Sequence, residues 1–169
     1  MNRVYSFSDY DKHMALKMDF NMWLVIAYFL RPIIVKAANF SLKGGSVPGA
    51  SGLKDMLYPD DFGFFIALAV TIPAVLVLFA YAKRKPGAST FIRRIWSNGA
   101  ILLMVTAGLN MAIVVLPLVT GSIHHLGAYG WGQLAVAVFI FWYLLASQRV
   151  KDTFADFPVE AEKESSKGR

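Results

Sequence analysis

The chain holds 169 residues, 56% of them hydrophobic and 14% aromatic, and its 17% of charged residues falls below the roughly 25% of a typical soluble domain. That balance indicates lipid as the solvent, and the absence of cysteine excludes disulfides, thiolate metal sites and cysteine nucleophiles. A formal charge of +6 would suit nucleic acid, but the seventeen Lys and Arg residues cluster beside long apolar runs, so no nucleic-acid partner is expected.

Residues 1–19 form a charged arm, with Arg3, Asp9, Asp11, Lys12, Lys17 and Asp19 spread through it, and it does not read as a cleavable signal peptide. Four apolar segments follow, over residues 20–40, 62–82, 99–119 and 129–147, each near the roughly 20 residues that cross a hydrocarbon core of about 30 Å. Open strands do not survive in lipid and no alternating barrel pattern is present, so helix is the remaining reading. The expected fold is an all-α integral membrane protein whose four transmembrane helices make one domain over residues 20–147.

The first segment contains Arg31 and Lys36, whereas the last three contain no Asp, Glu, Lys or Arg. Arg31 lies some 16 Å along a helix counted from Phe20 at about 1.5 Å per residue. A charge near the bilayer centre costs about 2.5 to 3.5 kcal/mol on insertion scales, so something must offset it. Candidate partners are carbonyls freed by Pro32 and Pro73, Asn110, a lipid phosphate, water, a carboxylate of another protein, or a flanking Asp19, Asp60 or Asp61. Arg31 therefore has three readings: a structural bond within its own bundle, a site for an anionic lipid or other amphiphile, or a docking charge for a partner membrane protein. Lys36 can snorkel toward the outer headgroups.

The stretch "SLKGGSVPGASGLKDMLYPDDF" is rich in Gly, Ser and Pro and reads as an irregular external loop. At its end Tyr58, Asp60 and Asp61 serve either as a simple helix start, where the macrodipole favours carboxylates, or as an external-surface contact for a cation. Along the second segment Gly63, Ala67 and Thr71 recur every four residues, and in the third Gly108 and Ala112 do the same around Asn110, marking faces for close helix packing.

Between these segments, residues 83–98 read "KRKPGASTFIRRIWSN" and bring five basic residues together. Phe91, Ile92, Ile95 and Trp96 share one helical face, with Ser89 or Thr90 placed to cap its start. The expectation is an interfacial helix held at anionic headgroups, at about 1 kcal/mol per basic residue, or a specific docking surface. His124 and His125 in "TGSIHHLGAYGWG" have no nearby carboxylate to complete a metal site, and no cofactor is expected. The tail, residues 148–169, carries Val150, Phe154 and Phe157 at helical spacing before Pro158, and from about residue 160 its composition predicts disorder.

Orientation follows from the basic residues. Five lie in the loop at residues 83–98, five after Ser147 and three in the arm, against Lys43 and Lys54 alone in the two other loops, so both termini are expected in the cytoplasm.

The elements "DYDKHMALK" at 9–17, "LRP" at 30–32, "LYPDD" at 57–61, "PA" at 73–74 and "SQRVKDTFADFP" at 147–158 resemble the YfeZ-like family of gammaproteobacterial inner-membrane proteins, which has no assigned function. The pattern is departed from at Met18-Asp19, where proline is usual, and at Ile72, where glycine is usual. The resemblance implies a multi-pass protein of the bacterial inner membrane and supplies no catalytic residues. With both "DYD" and "FADFP" then facing the cytoplasm, Asp9, Tyr10 and Asp11 are expected to meet the basic loop at Arg84, Arg93 or Arg94. The functional expectation is a non-enzymatic accessory or assembly factor acting through lipids, anionic headgroups among them, or through a membrane-protein partner of unspecified stoichiometry. The alternative is a small transporter or channel-like subunit, which Arg31, Lys36, Asn110 and a few hydroxyls equip sparsely.

Overall fold

In a computed structural model, which describes residues 5–11, 13–39, 57 and 61–158, the described residues form eight α-helices and no strand. Asp19 opens the first, accepting the backbone N–H of Met22 at 2.9 Å, and α1 runs Phe20–Phe29. After Leu30 the chain turns into α2, Arg31–Asn39, at 63° to α1. The second apolar segment is likewise broken at Thr71 into α3, Asp61–Val70, and α4, Ile72–Lys83, at 41° to each other.

Each break has a proline one residue into the following helix, Pro32 and Pro73. Proline fits a first helical turn because its missing N–H would be unpaired there, but it cannot continue the ladder of the preceding turn. Two single segments of the sequence reading are thus two bent pairs. The bend has a consequence for length. Nine residues of α2, about 13.5 Å long, add only about 6 Å along the axis of α1, so the pair extends roughly 21 Å rather than 30 Å in that direction.

Ser89 caps α5, Thr90–Ser97, through the N–H of Ile92, and α6 then runs Gly99–Val119. Helix α7 covers Ala128–Ala146, and Ser147 caps the short α8, Gln148–Ala155, through the N–H of Val150. Helices α6 and α7 are each long and apolar enough to cross a membrane, and the two bent pairs pass the same test when each is taken as one unit, giving two to four candidate spans.

Helix α6 is the centre of the bundle, packing on α7 and α4 and more lightly on α3. Leu103 and Ala107 on its inner face are fully buried among Met22, Ile26 and Phe29 of α1, Ala74 and Val77 of α4, and Ile140 and Leu144 of α7. The small-residue stripe of the third segment does not serve this packing: Ala112 is exposed, and a Cβ on Gly108 would meet nothing within 4 Å. The close approach falls instead at Gly99, where a Cβ would stand 2.2 Å from Cε1 of Phe154. Glycine there lets the tail helix lay its aromatic ring against the start of α6.

Candidate functional site

Two places gather polar and charged side chains: the level of the helix breaks, and the end of the bundle where the arm and tail meet.

At the breaks the two bent pairs touch. The Thr71 hydroxyl donates to the carbonyl of Phe29 at 3.1 Å, across the bundle, and to Ala67 of its own helix at 2.8 Å, and the residue is 2% exposed. A carbonyl at a proline break has lost its regular partner, and in an apolar interior an unmet carbonyl costs about 1 to 3 kcal/mol. Thr71 removes that cost for Phe29 and ties one break to the other. Immediately beyond the break, Arg31 is half-buried and donates from Nη2 to Oδ1 of Asn110 at 3.1 Å. Its guanidinium also lies 4.3 Å above the Tyr28 ring. Asn110 is held for this role because its own amide donates to the Thr106 carbonyl at 2.9 Å one turn earlier, which aims Oδ1 outward from α6. Tyr28 in turn reaches the Gln133 carbonyl of α7 at 3.5 Å. Arg31, Asn110 and Tyr28 thereby join α2, α6, α1 and α7.

Lys36 lies farther along α2 and is exposed, its ammonium 5.6 and 5.7 Å from the ring centroids of Phe64 and Phe65. Asp61 is the exposed first residue of α3, while Tyr58 and Asp60 lie outside the described residues.

At the opposite end the arm folds back as a tight hairpin. Tyr10 pairs with Leu16 through the backbone, Met14 takes a left-handed φ of 55°, and Asp11 accepts the N–H groups of His13 and Ala15 at 2.7 and 3.2 Å. Arg84, at the end of α4, enters this hairpin from below. It donates to the Leu16 carbonyl and to the Asp11 carboxylate, both at 3.1 Å, and its guanidinium lies 4.6 Å from the centroid of Trp96 and 5.5 Å from that of Tyr81. Its side chain is only 2% exposed. Burial would raise the Asp11 pKa, but the two backbone N–H groups and the guanidinium prevail and hold it below its usual value.

The other aspartate of the arm takes a different partner from the one the charge pattern suggests. Asp9 pairs with Arg149 of α8 at 3.0 Å rather than with the basic loop, and that hydrogen bond lowers the pKa of Asp9 and raises that of Arg149. Arg149 also lies 5.0 Å over the ring of Tyr5, whose hydroxyl bonds Asp152. Asp156 of the tail accepts the N–H of Leu16 at 2.7 Å. Arg93 stands 4.9 Å over Phe157, and Arg94 is exposed. Arm, α4 and tail are therefore one interlocked layer in which Tyr10 takes part through its backbone.

Helix α5 belongs to the same layer. Ile92, Ile95 and Trp96 are buried, and the indole N–H of Trp96 donates to the carbonyls of Thr153 and Asp156 at 3.2 and 2.9 Å. Phe91, expected on the same face, is 64% exposed, and Arg93 and Arg94 of the same helix are exposed too. The helix is thus docked under the tail rather than lying free on a surface, with Phe91 on the side left exposed. Sequence reasoning passed over Arg149 and Thr71 as site residues. Arg149 carried a signal in the "SQRVKDTFADFP" element; Thr71 looked like one more small residue in a packing stripe.

Among the described residues no group of three His, Asp or Glu side chains is placed to hold a metal ion. The model of one protein family, described as a protein of unknown function (DUF2919), matches residues 5–156. No curated protein and no solved structure matches the chain.

Proposed function

The chain belongs to the DUF2919 family of unknown function, and from that premise we propose that it is a non-enzymatic accessory or assembly factor of a bacterial inner membrane, working through contacts with lipids or a membrane-protein partner. In this reading both bent pairs and both long helices cross the bilayer, four spans in all, with arm and tail in the cytoplasm. The basic residues of the arm, the loop and the tail support that orientation, and the resemblance to the YfeZ-like proteins supports the choice of membrane.

The observation that carries the reading is where the interior polar groups spend their hydrogen bonds. Thr71, Thr106, Asn110 and Arg31 bond neighbouring backbone or one another, which suits a tied framework more than a hydrated path. The chemically available charge lies instead on the outside, as exposed Lys83, Lys85, Arg93 and Arg94 in the stretch that also carries exposed Phe91, a composition suited to anionic headgroups. The test is extraction of the native protein and Arg31→Leu in membrane-derived nanodiscs, followed by mass spectrometry of what each retains. Loss of one anionic lipid or one protein from the folded variant supports a contact at Arg31. Identical cargo assigns Arg31 to the framework and leaves the basic end as the contact surface; no specific cargo with either form refutes the accessory reading.

A second reading, a small transporter or channel-like subunit, is favoured by the meeting of two broken helices, since secondary transporters place substrate sites at such breaks. Solute or ion flux in protein-containing liposomes above that of empty ones would replace the first reading with this one.

A further inference from the structure

Helices α1 and α7 stand beside each other without packing closely. α1 packs on α2 and α4, α7 packs on α6, and between α1 and α7 runs a groove of about 290 Å³. Its floor is Val25 and Ile140, each 5% exposed, and its flanks are Leu24, Val136 and Phe139, exposed by 52%, 42% and 63%. Both ends are bridged by tyrosines that also line it: Tyr28 reaches the Gln133 carbonyl at 3.5 Å, and Tyr143 reaches Oδ1 of Asp19 at 3.4 Å. The two bridges hold the helices apart as well as together, so the groove is a framed opening on the side of the bundle.

We infer that this groove binds one acyl chain of a phospholipid from the leaflet on the arm-and-tail side, with its headgroup at the Asn21–Tyr143 end. Three features select that occupant. The groove lies wholly within α1 and α7, so on the reading of these helices as spans, on which the inference rests, it opens sideways into hydrocarbon. From Asn21 to Tyr28 it runs about 10 Å at 1.5 Å per residue, starting at the first turn of α1 and ending short of the roughly 15 Å that one leaflet contributes to the core. Its mouth is polar: Asn21 is exposed, the Tyr143 hydroxyl bonds the half-buried Asp19 carboxylate, and Arg149, already paired with Asp9, acts electrostatically on Asp19. Such a mouth suits a polar headgroup, and the Asp19 carboxylate suits an amine within it. The inner end, by contrast, is closed by the Tyr28 ring under Arg31, which sets how deep a chain can lie.

The test uses the full chain in nanodiscs containing a trace of phosphatidylethanolamine or phosphatidylglycerol with a diazirine midway along one acyl chain. Photolysis is done before and after exchange into detergent, and adducts are mapped by mass spectrometry. Adducts at Leu24, Val25, Val136 and Ile140 are expected to survive the exchange, whereas those at Phe65 and Val105, exposed apolar positions on α3 and α6, are lost with the bulk lipid. Leu24→Trp and Val136→Trp, both at partly exposed positions that accept a larger side chain, are each expected to abolish the detergent-resistant adducts. Retention of both lipids assigns recognition to the chain, and retention of the ethanolamine lipid alone adds a contact to Asp19. The inference is overturned if groove and control positions lose their adducts together, or if both tryptophan variants keep them. No labelling at Phe65 and Val105 in intact nanodiscs strikes the membrane-spanning reading instead.

Discussion

Replacing Arg84 with methionine keeps most of its aliphatic stem and removes the group that pins the arm. Two hydrogen bonds at 3.1 Å are lost, to the Leu16 carbonyl and the Asp11 carboxylate, together with the contacts to the faces of Trp96 and Tyr81. Hydrogen bonds to a charged group contribute about 1.5 to 3 kcal/mol, and a cation over an aromatic ring about 0.5 to 2 kcal/mol depending on desolvation. Removing one partner of a fully buried ion pair costs about 3 to 5 kcal/mol. Asp11, however, is 26% exposed and keeps the N–H groups of His13 and Ala15, so part of its charge stays solvated. The expected loss is about 2 to 4 kcal/mol, concentrated in the arm and its junction with the tail. Limited proteolysis of nanodisc-embedded protein reads it directly, as faster cleavage within residues 5–18. A cycle with Asp11→Asn separates the pair from the rest, and a coupling of about 1 to 3 kcal/mol is expected for groups in direct contact. Cleavage rates for Arg84→Met equal to the native rate, or a coupling near zero, would refute the assignment of Arg84 as the residue that holds the hairpin.

The same layer has a predictable pH response. Asp9 and Asp11 have folded pKa values below the unfolded 3.8, so the stability they add is fully present above that value and is lost as pH falls through the folded values. Arm protection should therefore be flat from pH 5 to pH 8 and decline only below about pH 4, as followed by hydrogen exchange of the Ala15 and Leu16 amides. Gly99→Ala should destabilise by about 1 to 3 kcal/mol, because the new Cβ would meet the Phe154 ring at 2.2 Å; thermal unfolding of the variant and of Gly99→Ala with Phe154→Leu, which makes room, checks the cause. Thr71→Val, which preserves shape but leaves the Phe29 carbonyl unmet, should lower stability by about 1 to 2 kcal/mol, whereas Thr71→Ser should recover most of it; equal loss in both would show that the hydroxyl is not what joins the breaks.

Much of this protein was legible locally. Apolar length and the absence of charge mark the helices of residues 99–119 and 128–146, because the need to satisfy backbone hydrogen bonds in lipid leaves a long uncharged run little other choice. Ser89 marks a helix start because a cap acts within three residues. The prolines at 32 and 73 announce that a partner is lost from the preceding turn, although the 63° and 41° bends depend on what the freed carbonyls then find.

That second question belongs to tertiary structure. Sequence names Asn110 as one of several partners open to Arg31, and only the placement of α6 beside α2 selects it across 79 positions. Counting charges brings the acidic arm toward basic residues, yet it cannot distinguish Arg149 from Arg93, because attraction between exposed charges is long-ranged and unspecific until packing fixes distances. The docking of Trp96 beneath the tail bears on the second choice. It buries one face of α5, brings Arg84 under the hairpin, and sets α8 where Arg149 meets Asp9. Periodicity and solvent preference are properties of single segments and are written along the chain; partner choice is a property of pairs, and it exists only once the segments have packed.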